Sequence, residues 1–202
     1  YIMEQLKTGD IILCHGDSGD DMIDKIIEDV THSPYVHAAI VIKDPWWLNL
    51  KGLFVLQSNR GPNSYLDVIN KKNSGVTLNR LNEFLSGRQY VCIRSLKNLT
   101  LNDKNKEKFI NKFNFVHGKP YDKNICHWFF TGLGSFFNCK CLSNNMVPKN
   151  DDEFWCSALV FYFYEEMNWS DENTDWSCQT PDDLTRLTVN KPLELGEVWR
   201  LK

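Results

Sequence analysis

Residues 151–164 read DDEFWCSALVFYFY: three acidic residues precede a cysteine, and a run of apolar and aromatic residues follows it. Carboxylates are favoured where a helix begins, because backbone N–H groups there lack partners, so the acids predict a helix start just before Cys156. The apolar positions recur at helical spacing on one face that we expect to point into the core: Cys156, Leu159, Val160, Phe163 and Met167. The sequence therefore places the thiol in the first turn of a core-facing helix.

A cysteine in that position has two interpretations. The positive end of a helix stabilises a thiolate, which is the reactive form of cysteine. Free cysteine is also among the residue types most often buried for packing alone. The helix by itself favours the structural interpretation, so the choice depends on whether the chain supplies a base for this thiol.

The composition is that of an ordinary globular protein. The chain has 202 residues, of which 42% are hydrophobic and 24% charged. This length and composition predict one domain over residues 1–202, in which residues at about 122–150 form an irregular insertion. The net charge of -3 gives no reason to expect nucleic acid, whose binders usually carry a concentrated basic surface. The lysines near residues 104–112 are diluted by acids and asparagines, which indicates a solvated helix face.

Cysteine usage and hydropathy give an expectation for the compartment. The chain has seven cysteines, and its first residues do not resemble a signal peptide, so we expect reduced thiols in the cytoplasm, or in a virion or host cell if the protein is viral. No apolar run approaches 18 residues, so no transmembrane segment is predicted. The aromatic stretch 127–137 favours a packed lid, with contact to acyl chains or to a membrane surface as alternatives. The oligomeric state is left open.

Periodicity predicts an α+β protein with a mostly antiparallel sheet. Besides the Cys156 helix, helices are expected at 20–30, 81–87, 102–116 and 180–184. Strands are expected at 9–16, 35–42, 53–58, 75–78, 90–96 and 197–201, of which 35–42 is apolar on both faces and therefore buried.

A histidine and a glutamine occupy neighbouring predicted strands. If residues 44–52 join a hairpin in which Val41 opposes Leu53, then His37 opposes Gln57, with Cβ atoms about 5 Å apart. Gln57 would then accept the Nδ1–H of His37 and leave Nε2 to face a thiol. A buried histidine alone is more often a satisfied core residue, but an unpartnered glutamine in an apolar strand would cost about 1–3 kcal/mol.

Seven short motifs follow one another along the chain in an order that is typical of a known family. The chain resembles the permuted papain-like amidases of the YiiX/YaeF type, which include poxvirus members and are related to NlpC-type peptidases and lecithin:retinol acyltransferase. The resemblance spans roughly residues 6–185, and the histidine precedes the cysteine, the reverse of the order in ordinary papain-like enzymes. The motifs are GDIIL, SPYVHAAIVI, FVLQS, GVTLNRLNEFL, GKPYD, WCSALV and TPDDL.

The resemblance implies a role for four residues. Cys156 would be the nucleophile, His37 the base that forms an ion pair with it, and Gln57 the third, orienting residue, where the family often has glutamate. Tyr121, in GKPYD, would bind or polarise the substrate carbonyl, or else be a buried tyrosine that closes the pocket. The implied fold is a circularly permuted papain-like, NlpC-type α+β fold whose antiparallel sheet or barrel packs against the cysteine helix.

The implied activity is a thiol hydrolase, an amidase or peptidase, that acts through an acyl-enzyme on a peptide, N-acyl or lipid-derived acyl substrate. An acyltransferase or lipid-ester hydrolase at the same site is one alternative. An inactivated scaffold with a binding or structural role in an assembly such as a virion is the other. The chemistry requires no metal and no organic cofactor.

The remaining cysteines carry no second catalytic pattern. Cys126, His127, Cys139 and Cys141 could supply four zinc ligands, but their spacing matches no common zinc site, so no metal is predicted. Cys14 and Cys92 lie in predicted strands and are expected in the core, and Cys178 is expected to be structural.

Overall fold

Eight strands and four α-helices lie in the residues that the computed structural model describes, which are 3–16, 22–61, 65–122, 151–171 and 175–202. The helices are α1 (Met22–Thr31), α2 (Leu81–Ser86), α3 (Asp103–Val116) and α4 (Cys156–Glu166). The strands are β1 (Ile11–His15), β2 (Tyr35–Lys43), β3 (Leu53–Asn59), β4 (Gly75–Arg80), β5 (Val91–Arg94), β6 (Leu96–Lys97), β7 (Glu194–Leu195) and β8 (Trp199–Arg200).

Six of these strands form one antiparallel sheet in the order β4-β3-β2-β1-β5-β8, and β6 pairs with β7 separately. Within the described residues the two edge strands, β4 and β8, do not pair with each other, so this sheet does not close into a barrel. The predicted α+β class with an antiparallel sheet is confirmed. The proposed insertion falls almost entirely on residues 123–150, which lie outside the described residues, as do the four candidate zinc ligands.

Strand β2 is covered on both faces, as its apolar sequence predicted. Ala38 and Ile40 belong to the core cluster that contains the α4 side chains, whereas Ala39 and Val41 belong to the cluster that contains Phe84 of α2. Because side chains alternate along a strand, residues 37–42 of β2 are assigned to a face by their number, whereas Tyr35, beyond a register shift with β1, packs on the α4 cluster. The central strand thus separates an α4 face from an α2 face.

The register between β2 and β3 differs from the expected one by two residues. Val41 opposes Val55 instead of Leu53, because β2 continues to Lys43 and the hairpin loop is shorter than expected. The Asp44 N–H donates to the Gly52 carbonyl at 2.8 Å across this loop. A shift of two keeps every side chain on its face. The observed pairs include Ala39–Gln57, Val41–Val55 and Lys43–Leu53.

Helix α4 begins at Cys156, but none of the acids before it occupies the N-cap position. Its N-cap residue is Trp155, which makes no side-chain capping bond, and Asp151 and Asp152 are exposed. Every residue from Cys156 to Tyr164 is buried, so the expected single inward face is wrong. The helix is buried all round because the sheet covers one side, while Trp176 and Phe109 of α3 pack their rings on others.

Other elements follow the expectation closely. The predicted helix at 180–184 is a single 3₁₀ turn, Asp183–Thr185, in front of which the Thr180 hydroxyl donates to the Asp183 carboxylate at 2.7 Å. Cys14 and Cys92 are buried, as expected. None of the described helices combines the length and the hydropathy that crossing a bilayer requires.

Candidate active site

An opening between β2 and β3 lies at the start of α4. The ladder joining the two strands ends at the pair Ala39–Gln57, although β2 begins earlier, at Tyr35, and β3 continues to Asn59. Beyond the last pair, the Ser58 hydroxyl donates to the Phe154 carbonyl at 2.5 Å, so the end of β3 is attached to the segment that leads into α4. The two strands therefore separate where α4 begins.

The Cys156 thiol lies at this opening. Its Sγ is 3.8 Å from the carbonyl oxygen of Val36, and the backbone N–H of Ala38 lies close enough to favour a thiolate there. The Val41 N–H donates toward the β1 side, to the Asp10 carbonyl, so between residues 37 and 42 the odd-numbered residues of β2 turn their backbone groups to β1 and the even-numbered ones to β3. The thiol thus contacts the backbone groups that β3 would have bonded had the ladder continued.

The thiol is uncharged at neutral pH. Burial raises the pKa of Cys156 to about 11, and its side chain is only 5% exposed. The N–H groups of Ala38, Ser157 and Cys156 itself act in the opposite direction by stabilising a thiolate, and the nearby Asp24 carboxylate adds to the rise. The helix start therefore provides N–H donors at the sulfur, but they do not offset the desolvation.

The His37 ring lies on the α2 face, where it packs 6.1 Å from the Phe84 ring and is partly exposed. Its Nε2 is 2.7 Å from the side-chain oxygen of Gln57. Burial and the charge of Arg88 lower the pKa of His37 to about 3, although the bond to Gln57 acts to raise it. The ring is therefore neutral, and a neutral ring that donates from Nε2 carries its lone pair on Nδ1.

The structure brings Gln57 and His37 together, as the sequence predicted, but through the other ring nitrogen. Nδ1 is the ring nitrogen nearer the main chain, and the Cys156 sulfur lies against the two peptide groups that flank the α-carbon of His37. Within the described residues no hydrogen bond joins the thiol to the imidazole. Burial favours the neutral forms of both groups over the ion pair that the resemblance implied.

A second thiol lies beside His37, which sequence reasoning missed. The register of β1 and β2 pairs Cys14 directly with His37, on the α2 face, at a Cβ separation of about 5 Å. Cys14 is fully buried, whereas Cys156 is slightly exposed. Only the register of the strands reveals this neighbour, because the two residues are 23 positions apart in the chain.

Tyr121 forms an isolated parallel bridge with Phe154, two residues before Cys156. Burial first, and then the negative charge of a Cys156 thiolate, raise the pKa of Tyr121 well above its ordinary value. The phenol is therefore protonated and able to donate a hydrogen bond near the thiol. Arg60 opposes the rise, while Asp122 and Asp24 add to it.

An antiparallel sheet with a histidine on its central strand, and a cysteine at the start of the helix packed against it, defines the papain-like class of thiol hydrolases. The chain belongs to the permuted papain-like amidase enzymes YaeF/YiiX, the C92 family of peptidases, whose family model matches residues 5–128. The matched segment includes His37, Gln57 and Tyr121, and Cys156 lies beyond it. No curated protein matches the chain.

Membership confirms the resemblance in fold and in general activity. The protein has a permuted papain-like fold, and its family is one of amidases, which makes it a thiol hydrolase with an amide or peptide type of substrate at the level of the family.

Proposed function

We propose that this protein is a cysteine amidase that cleaves an amide bond through an acyl-enzyme on Cys156. His37 takes the thiol proton at Nδ1 while the sulfur attacks the carbonyl carbon. The proton then passes to the departing amine nitrogen as the carbon–nitrogen bond breaks. Water, deprotonated by the same imidazole, hydrolyses the thioester and restores the thiol.

The observation that carries this proposal is the position of the sulfur. It lies at the open ends of β2 and β3, in contact with Val36 and Ala38, the two neighbours of His37. On the other side, the bond of 2.7 Å to Gln57 holds the imidazole by Nε2 and leaves Nδ1 as the basic nitrogen. His37 lies on the face of β2 opposite to the α4 side chains, so the thiol reaches Nδ1 through the gap at the end of the β2–β3 ladder when substrate binds, since catalytic bonds are often loose in unliganded enzymes.

Because both groups are neutral, the proton moves as the substrate is attacked. A preformed thiolate would require a thiol pKa below neutral, whereas burial raises that of Cys156 to about 11. The N–H groups of Cys156 and Ser157 favour a thiolate at the sulfur, so they are the donors that we propose for the oxyanion that forms one bond away. The protonated phenol of Tyr121 adds a donor for the substrate carbonyl.

The experiment compares two thiols that both lie beside His37. The wild-type protein, Cys156→Ala and the matched control Cys14→Ala are incubated with a panel of peptide and N-acyl amides, and acyl adducts are mapped by mass spectrometry. We expect an adduct on Cys156 in the wild type and in Cys14→Ala, and none in Cys156→Ala. An adduct on Cys14, or turnover by Cys156→Ala, contradicts the proposal, and the absence of any adduct across the panel favours the inactivated scaffold.

The same adduct separates hydrolysis from acyl transfer. An added primary amine that accelerates loss of the adduct and appears in the product would identify an acyltransferase. Loss at a constant rate into free acid identifies the hydrolase that we propose. A nucleophilic thiol must also remain reduced, so we propose a reducing compartment such as the cytoplasm for this activity.

A further inference from the structure

Four polar side chains form a buried block on β3 and β4, next to His37. Gln57, Asn59, Thr77 and Asn79 are each at most 6% exposed. Gln57 opposes Thr77 in the register, and the two asparagines lie two positions away on the same face. Buried polar groups are costly unless they are hydrogen bonded, so the bonds within this block are expected to define its arrangement.

A series of hydrogen bonds connects a backbone carbonyl to the imidazole, and Asn79 Oδ1 accepts within it from both of its neighbours. Asn59 Nδ2 donates to the Thr77 hydroxyl at 3.1 Å and lies 3.5 Å from the Gly75 carbonyl oxygen, which can only accept. The Thr77 hydroxyl has a single proton, which it donates to Asn79 Oδ1 at 2.8 Å. Asn79 therefore presents an oxygen to its next neighbour.

That oxygen determines how the Gln57 amide is turned. Gln57 Nε2 donates to Asn79 Oδ1 at 2.9 Å, which leaves the Gln57 oxygen facing His37. The reverse orientation would bring two oxygen acceptors together at Asn79 and remove a buried hydrogen bond. The longer contact of Nε2 with the Tyr65 hydroxyl, at 3.4 Å, is compatible with either orientation, because a hydroxyl both donates and accepts.

We propose that Asn79 is a positioning residue, which acts through Gln57 to keep His37 in the tautomer with a proton on Nε2 and a lone pair on Nδ1. An oxygen at Gln57 requires a donor from the ring, so Nε2 carries the proton. With the amide reversed, Nε2 would accept from Gln57 and the proton would move to Nδ1, where no base remains for the thiol. The effect on catalysis rests on the proposed role of His37, whereas the effect on the tautomer does not.

The direct test is the ¹⁵N spectrum of the His37 ring in protein labelled at histidine, with the signals assigned from His37→Gln. The wild type is expected to show protonated Nε2 and unprotonated Nδ1. Asn79→Leu removes the acceptor and should populate the Nδ1–H tautomer, while Asn79→Asp keeps oxygen acceptors and should restore the wild-type tautomer. Val55→Ala, which alters packing directly opposite Asn79, should leave the tautomer unchanged.

Acyl-enzyme formation on Cys156 is measured in the same proteins. We expect Asn79→Leu to slow acylation about tenfold, the equivalent of about 1.4 kcal/mol of barrier, without changing KM. If Asn79→Leu does not fold, Thr77→Val removes the hydroxyl that orients Asn79 at nearly constant shape, and should shift the tautomer in the same direction. An unchanged tautomer in whichever of these variants folds overturns the inference. A changed tautomer with an unchanged acylation rate supports it and refutes instead the proposed role of His37 as base.

Discussion

Burial is the largest cause of the neutral forms of Cys156 and His37, and at His37 the charge of Arg88 adds to it. The thiol pKa is raised to about 11, so the thiolate fraction increases with pH throughout the neutral range. A preformed ion pair would instead lower the thiol pKa. The thiolate fraction would then be constant at every pH well above that low pKa.

The first prediction follows from that pKa. The rate at which iodoacetamide alkylates Cys156 should rise about tenfold per pH unit between pH 6 and 9, since only the thiolate reacts and its fraction is small there. Alkylation is followed by mass spectrometry in Cys14→Ala protein, so that Cys14 contributes no label. A rate that is already constant from pH 6 upward would show that the ion pair exists before substrate binds.

The second prediction concerns Gln57. Gln57→Glu keeps an acceptor for His37 Nε2 and adds a negative charge, so the His37 pKa should rise from its lowered value. A carboxylate cannot donate to Asn79, so this variant should also be less stable than the wild type. Gln57→Ala removes the orienting bond and should slow acylation with little change in KM. The test is to measure the acylation rate against pH in the wild type, Gln57→Glu and Gln57→Ala. Identical pH profiles in these three proteins would mean that Gln57 has no catalytic role.

At the level of elements, the site depends on how β3 ends. Strand β3 leaves β2 after Gln57 and is attached to the residue two positions before Cys156 by the Ser58 hydroxyl. One buried hydrogen bond therefore links the strand that carries Gln57 to the helix that carries the nucleophile.

The third prediction is made for that bond. Ser58→Ala removes one of two donors to the Phe154 carbonyl, which still accepts from the Asp122 N–H at 3.2 Å, and should lower the free energy of unfolding by about 0.5–1.5 kcal/mol. It should also slow acylation, because the start of α4 loses a fixed position relative to β3. Ser86→Ala removes an exposed serine hydrogen bond at the end of α2 and should change stability by less than about 0.5 kcal/mol. Equal effects of the two variants in urea unfolding would contradict this account.

At the scale of the whole molecule, buried ionisable groups make stability depend on pH. Burial tends to raise the pKa of Asp67, but bonds from His117 and from the N–H groups of Asn70 and Leu78 outweigh it and lower the pKa. The pKa of His37 is lowered as well. In both cases the unfolded chain takes up a proton at a higher pH than the folded protein does.

The fourth prediction is a loss of stability in acid. His37 contributes stability that is complete above about pH 6.5 and is lost as the pH falls toward 3, by at most about 1.4 kcal/mol per unit. Asp67 adds a further loss below its ordinary pKa of 3.8. Urea unfolding between pH 7 and 4 should show a shallower slope in His37→Gln, which has no proton to take up. If the free energy of unfolding of His37→Gln fell with pH as steeply as that of the wild type, groups other than His37 would cause the loss of stability.

The sequence determined those features that depend on local periodicity. Alternating and continuous apolar runs located β2 and β3, and the period of two put His37 and Gln57 on one face even though the register was misjudged by two residues. Helical spacing located α4 and the first-turn position of Cys156. The order of short motifs was sufficient to identify the family, because that order is present in the linear sequence and does not depend on tertiary contacts.

The tertiary structure alone decided what lies around each of those residues. Burial of α4 on every side and the nearness of Cys14 to His37 both arise from contacts between distant segments. The same holds for the opening after Gln57 and for the charge state of the thiol. Desolvation and hydrogen-bond direction depend on every element packed around a group, and local sequence does not specify those neighbours.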